Sequence, residues 1–240
     1  MDLQPACSAQ ECAHGRNCQA CSVRLISVCG ALAEDELREL EVLSQPVVFA
    51  AKESLFAQGE AANSVFNVTG GIVRLYKLLP DGRRQIVGFA LAGDFLGLAL
   101  AERYGVSAEA ITEVTACRFS RLAFSRYIDA KPHLLRRLHE FAGHELSLAQ
   151  DQMVLLGRRS AEERLAAFLV GMRERLERLG HRSVTLPLPM SRQDIADFLG
   201  LTIETVSRTI TKMAKGRLLL VVPDGVRLLD MPRLEALSAG

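Results

Sequence analysis

Tryptophan is absent, tyrosine occurs three times, and aromatic residues make up only 5% of the chain. The core must therefore be built mainly from Leu, Val, Ala and Ile, which a half-apolar composition supplies over 240 residues. A long apolar run is also missing. The most apolar stretch, "IVGFALAGDFLGLALA", is broken by Gly93 and Asp94 and is too short to cross a bilayer. The start, "MDLQPACSAQECAHG", has no basic segment followed by an apolar one. No signal peptide is expected, and the expected address is cytoplasmic. Nucleophile elbows, phosphate loops and H-E-x-x-H are absent too, so no enzyme is expected. The net charge is only +1, but it is uneven: Arg158–Leu220 carries +5 and the remainder −4. A mildly basic C-terminal part permits nucleic-acid binding.

From Pro46 to about Ser120 the chain reads as short strands. "PVVFA", "SVFNV", "IVRLYKLL", "RQIVGFAL" and "TACRFSR" are separated by the turn signals "QGEAAN", "TGG", "PDGR" and "AGD". This spacing predicts a β-barrel or double-sheet roll. Residues 132–157 then read as one long helix, with Pro132 in its first turn and Gly157 at its end. Leu135, Leu138, Ala142, Leu146, Ala149, Met153 and Leu156 form a narrow apolar stripe along it. Such a stripe predicts a partner helix and a parallel homodimer. Ser160 with Glu163 is a capping box that opens a second helix, ending near Gly180.

"SRQDIADFLGLTIETVSRTITKMAKGRLL" has the chemistry of a helix-turn-helix. Ser191 caps a helix holding Ile195, Ala196 and Leu199, and Gly200 suits the left-handed turn after it. Thr202 caps a second helix expected to bury Ile203, Val206 and Ile210. The small Ala196 lets the two helices cross closely. The exposed face then carries Glu204, Thr205, Ser207, Arg208, Thr211 and Lys212. Arg binds a guanine edge bidentately, and Glu accepts from cytosine N4. Ser191, Arg192, Thr202, Thr205 and Lys212 are candidates for phosphate contacts. "LLLVVPDGVRLLD" reads as a hairpin turning at "PDG", the wing.

The remaining signal is sulfur. Cys18, Cys21 and Cys29 in "CQACSVRLISVC" have the spacing C-x2-C-x7-C. In a reducing compartment such a group binds metal or does redox chemistry rather than forming disulfides. Zinc and iron–sulfur clusters both accept four thiolates. Cys117 is the only cysteine beyond the first thirty residues and the candidate fourth ligand; Cys7 and Cys12 are read as spare thiols.

A β-roll, a long helix and a winged helix-turn-helix in that order resemble the CRP/FNR family of transcription regulators. "AEERLAAFL" and "LGLTIETVSR" resemble its FNR branch, and C-x2-C-x7-C resembles the FnrN-like members. The fold so implied is α+β: a cysteine-rich arm (1–30), a sensory roll of cupin-like, cyclic-nucleotide-binding-like build (31–130), a dimerisation helix (131–158) and the DNA-binding domain (159–240). The resemblance implies an oxygen-labile [4Fe–4S] cluster on Cys18, Cys21, Cys29 and Cys117. It also implies that Glu204, Ser207 and Arg208 read a TTGAT-N4-ATCAA-type palindrome, and that the turn Leu78–Arg84 contacts RNA polymerase. Val106 stands where the family's cyclic-nucleotide members carry an Arg, so no cyclic nucleotide is expected. Ala149 stands where some FNR-type proteins carry an aspartate. The alternatives left open by the residues are a zinc-stabilised protein and a cluster-free regulator controlled by cysteine oxidation or by abundance.

Overall fold

The computed structural model describes residues 18–98 and 102–239. The chain divides into two compact units, Met1–His144 and Glu145–Gly240, and the division falls inside the long helix. Among the described residues no helix is long and apolar enough to cross a membrane.

In the first unit, three short 3-10 turns (Cys18–Ala20, Arg24–Ile26 and Val28–Ala31) lead into helix α1 (Glu34–Leu43). Strands β1 (Ser44–Phe49), β2 (Ser54–Phe56), β3 (Ser64–Gly70), β4 (Val73–Leu78), β5 (Arg84–Ala90), β6 (Phe95–Leu96), β7 (Ser107–Ala110) and β8 (Val114–Ser120) follow. They form two four-stranded antiparallel sheets, ordered β1-β8-β3-β6 and β2-β7-β4-β5. The roll is as expected. Strands β2, β6 and β7 lie beyond the five anticipated, being only two to four residues long.

Side chains alternate along a strand, so β3 and β8 serve two cores at once. Phe66, Val68, Val114 and Ala116 face the roll interior, where they meet Phe56, Val73 and Tyr104. Rings fill much of that interior: Phe56 stacks on Tyr104 with centroids 4.0 Å apart and on Phe66 at 5.9 Å. Val65 and Phe119 face the other way, into a second core with Val28, Cys29, Leu37 and Leu40. Helix α2 (Arg121–Asp129) adds Phe124 and Tyr127 to that second core. The long helix α3 (Pro132–Arg158) adds Leu134 and Leu138.

Polar ties reinforce the joint between α1 and the start of α3. Tyr127 Oη donates to the Glu36 carbonyl at 2.7 Å, and Lys131 Nζ bridges Glu36 at 3.3 Å and Glu39 at 2.9 Å. The Ala33 backbone N–H, then Lys131 and His133, hold the Glu36 carboxyl below the usual carboxylate range.

The second unit holds α4 (Ala161–Arg178), β9 (Thr185–Pro187), α5 (Arg192–Leu199), α6 (Ile203–Lys215), β10 (Leu219–Val222), β11 (Gly225–Leu228) and α7 (Met231–Ala239). The sheet order is β10-β11-β9, and the expected hairpin is present as β10 and β11. Ser160 and Glu163 form the expected capping box, with Ser160 N–H donating to Glu163 at 2.6 Å. Arg164 is a hub that no motif announced. Its guanidinium donates to the carbonyls of Leu156 at 2.8 Å, Arg159 at 2.9 Å and Leu199 at 3.0 Å. It therefore satisfies orphan carbonyls at the ends of both α3 and α5.

Gly71, in the β3–β4 turn, has φ +81°, and a Cβ there would overlap the Glu113 carbonyl oxygen. Gly71→Ala should therefore lower stability by about 2 kcal/mol. Urea unfolding of the full chain checks this; an unchanged midpoint contradicts it.

Candidate thiol site and nucleic-acid interface

The thiol site lies where the 3-10 turns cover the outward face of β3 and β8. Ser27 fixes the last turn: its Oγ accepts from Cys29 N–H at 3.3 Å and donates to the Arg24 carbonyl at 3.1 Å. A Cβ on Gly30 would come within 2.9 Å of the Leu25 carbonyl oxygen, so only glycine permits this crossing of turns. Cys29 is buried in the second core, and Cys18 and Cys117 pack against the same core. Cys21 is close enough to Cys18 and Cys29 to act on both electrostatically. None of the four is in a disulfide.

Burial pushes the Cys18 thiol up to about 12, helped by Glu41 and by the neighbouring cysteines. Burial likewise pushes Cys29 up to about 11, against the lowering effect of the Ser27 hydroxyl. Both thiols therefore hold their protons at neutral pH unless a bound cation displaces them. Among the described residues no three Cys, His, Asp or Glu side chains form a metal-ligand group. The donors are nevertheless all of one kind, with three of them at one core and Cys21 near Cys18 and Cys29. In their chemistry they suit a thiolate-ligated zinc or iron–sulfur group. Cys7 and Cys12 lie outside the described residues.

Two polar neighbours join the site that the cysteine spacing does not reveal. Arg24 donates to the Leu32 carbonyl at 3.3 Å, and its charge favours the thiolates of Cys18 and Cys29. Asn67 is only 2% exposed and pairs in register with Cys117 across β3 and β8. Its Nδ2 lies 3.8 Å from Cys29 Sγ, while its Oδ1 is buried with no hydrogen-bond partner among the described residues. An unpaired buried amide oxygen costs about 1–3 kcal/mol. The one sequence signal was an asparagine amid the apolar residues of "SVFNV".

The helix-turn-helix forms as its caps dictate. Ser191 Oγ accepts from Asp194 N–H at 3.1 Å, and Asp194 accepts from Ser191 N–H at 2.9 Å. Gly200 takes the left-handed conformation (φ +61°), and Thr202 Oγ1 accepts from Thr205 N–H at 3.2 Å. The hydroxyls of Ser191 and Thr202 thus cap helices, and Thr205 Oγ1 lies 3.1 Å from that of Thr202. Val206, Thr209, Ile210 and Met213 are buried; Ile203, expected inside, is exposed. Glu204, Arg208 and Thr211 are exposed along α6, with Ser207 half-buried beside them. The backbone N–H of Glu204, the Thr202 hydroxyl and the Arg208 charge lower the Glu204 pKa, keeping it an acceptor. Arg192 is exposed at the start of α5, and Lys212 pairs with Glu162 at 2.8 Å.

The stripe on α3 divides. Leu138 is buried in its own unit's second core, which corrects its assignment to the seam. Leu156 is half-buried, with Cδ2 lying 3.2 Å from where a Cβ on Gly200 would stand. Leu135, Ala142, Leu146, Ala149 and Met153 are exposed; Leu146 and Met153 reach 60% and 65%. His139, also exposed, restores an unbroken alternation of four and three residues from Leu135 to Leu156. Every residue from 142 to 151 is exposed. The turn Leu78–Arg84 is an exposed hairpin tip between β4 and β5, closed by Leu79 N–H to Arg83 carbonyl at 2.8 Å and an Asp81–Arg83 pair at 2.7 Å.

Residues 163–237 match the model of a Crp-like helix-turn-helix domain, and residues 46–131 match that of a cyclic nucleotide-binding domain. The chain is 58% identical to the transcriptional activatory protein AadR of Rhodopseudomonas palustris, over 94% of this chain and 95% of the relative. It is 55% identical to the nitrogen fixation regulation protein FixK of Bradyrhizobium diazoefficiens, with the same coverage. The structure of FixK2 from Bradyrhizobium japonicum superposes with a TM-score of 0.76 at 36% identity, covering 82% of this chain and 98% of that one.

Proposed function

The chain belongs to the CRP/FNR family of DNA-binding transcription regulators, not enzymes, and we propose that it is an oxygen-responsive activator working as a homodimer. Activation is what the name of its relative AadR describes. One observation carries the sensing part: Cys29, with Cys18 and Cys117 beside it, packs into the same core as Leu134 and Leu138 of α3. A change at the thiols thereby acts on the root of the long helix without crossing solvent.

In this reading Cys18, Cys21, Cys29 and Cys117 hold a [4Fe–4S] cluster. The bound group would supply an oxygen-labile link between the N-terminal turns and β8. The residues do the rest. The turns, pinned to β8, keep Val28 and Leu32 against Leu134 and Leu138. Helix α3 then presents Leu135, Ala142, Leu146, Ala149 and Met153 to a second copy. Dimerisation sets two α6 helices one DNA turn apart on a TTGAT-N4-ATCAA-type palindrome. Glu204, Ser207 and Arg208 read bases; Arg192, Lys212 and the cap region around Ser191, Thr202 and Thr205 lie along the phosphates. The Leu78–Arg84 tip meets RNA polymerase. Cyclic nucleotide has no role in this reading, since Val106 offers its phosphate no charge.

A second reading is a cluster-free regulator controlled by cysteine oxidation or by abundance; burial keeps the Cys18 and Cys29 thiols protonated, which slows their oxidation, so abundance is its stronger form. Iron and acid-labile sulfide in strictly anaerobic protein decide between them. The cluster reading expects about four of each per chain; the cluster-free reading expects neither, and zinc without sulfide would mean a structural metal site.

Single Cys→Ser changes at Cys18, Cys21, Cys29 and Cys117 should each abolish iron retention and anaerobic reporter activation, whereas changes at Cys7 and Cys12 should leave both intact. A dead Cys12→Ser beside an active Cys18→Ser would shift the ligand set by one. Arg208→Ala should lose about 1–3 kcal/mol on a matched site and relax discrimination at one guanine, while Arg192→Ala weakens all sequences alike. Gel-shift titrations on matched and single-base-changed sites read this; a uniform loss for Arg208→Ala removes it from the base readers.

Ala149 brings no charge to the seam, so cluster-free protein should remain partly dimeric at micromolar concentration. Ala149→Asp should drive it to monomer, because a buried unpaired charge is costly. Sedimentation of anaerobic and air-exposed protein, with and without the substitution, measures this. A fully monomeric air-exposed parent protein contradicts it.

A further inference from the structure

From the placement of Asn67 we infer that it is a positioning residue for the thiol site: its amide N–H points at ligand sulfur and sets how readily the bound cluster gives up an electron to oxygen. This inference rests on the cluster reading above. The side chain is 2% exposed in a strand whose neighbours Val65, Phe66 and Val68 are apolar. Its cross-strand partners are Cys117 on β8 and Phe95 on β6, and its Nδ2 approaches Cys29 Sγ at 3.8 Å. An amide that approaches one candidate ligand, in a strand register opposite another, also leaves its Oδ1 without a partner among the described residues. A valine or leucine would fill the same place without burying an unpaired polar atom. The polar choice has a use if the site carries negative charge that an N–H dipole can face.

Four thiolates around a 2+ core carry a net charge of two minus. A bound cluster would supply one electron to an oxidant such as dioxygen, and its net charge would then fall to one minus. The Asn67 N–H stabilises the more negative state more, because a hydrogen bond strengthens with the charge of its acceptor and with the dryness of its surroundings. Hydrogen bonds to sulfur are among the levers that set iron–sulfur potentials. Asn67 thus resists the first oxidation, and its removal should make the switch trip sooner.

The test uses the full chain, purified anaerobically, as wild type, Asn67→Leu and Asn67→Thr. Leucine fills the space without a donor; threonine suits a strand and keeps one. Iron, sulfide and far-ultraviolet circular dichroism are measured first, then the rate of loss of visible absorbance on adding dioxygen. The rate is measured again with ferricyanide, which takes one electron without entering the site. Asn67→Leu should hold the same iron and sulfide yet bleach roughly five- to tenfold faster with both oxidants. Asn67→Thr should stay within about twofold of wild type. Iron loss in Asn67→Leu with retention in Asn67→Thr also supports a donor role. Equal bleaching of wild type and Asn67→Leu overturns the inference, as does equal behaviour of the two variants, which would make Asn67 a packing residue. Wild-type protein without iron would instead bring down the cluster reading itself.

Discussion

The structure depends on one packed layer: the core between the outward face of β3–β8 and the helices and turns that cover it. Val65 and Phe119 form its floor; Val28, Leu32, Leu37, Leu40, Phe124, Leu134 and Leu138 form its cover. The layer exists because strand residues alternate, so the same two strands line the roll interior with Phe66, Val68 and Ala116. Close-packed interiors shift between discrete arrangements rather than deforming smoothly. A cysteine seated in such a layer is therefore mechanically joined to the helix seated in it. Cys29 and Leu138 share this layer although they belong to distant parts of the sequence.

The layer also sets the electrostatics. Burial raises the thiols of Cys18 and Cys29, so any cation bound there must displace their protons. Arg24 and Asn67 are the polar groups that ease this. Both leave a buried atom without a hydrogen-bond partner among the described residues, Nε in one and Oδ1 in the other. The DNA-reading half obeys a different constraint, since it is fixed by short-range caps and by the Arg164 hub at its base.

That difference explains what was legible in the sequence. Ser191, Gly200 and Thr202 act on residues within one turn of themselves, so the helix-turn-helix could be placed to the residue. The capping box at Ser160 was equally local. Strands β2, β6 and β7 were not visible because two to four residues carry no periodicity, and α2 and α7 lacked a distinctive start signal. Leu138 was assigned to the seam because the sequence does not reveal that α3 changes partner along its length. Its first turns serve the unit's own core, and the exposed stripe continues in register through His139. Asn67 became meaningful only through its pairing with Cys117, a contact that no local pattern encodes.

The central claim is that the thiol site and the root of α3 respond as one body. Hydrogen–deuterium exchange of anaerobic and air-exposed full-length protein tests it most directly. The account predicts that air removes protection from the Val28–Leu32 amides and from the Leu134–Leu138 amides together, while α5 and α6 keep theirs. Loss of protection in the turns, with the first turns of α3 unchanged, would contradict it.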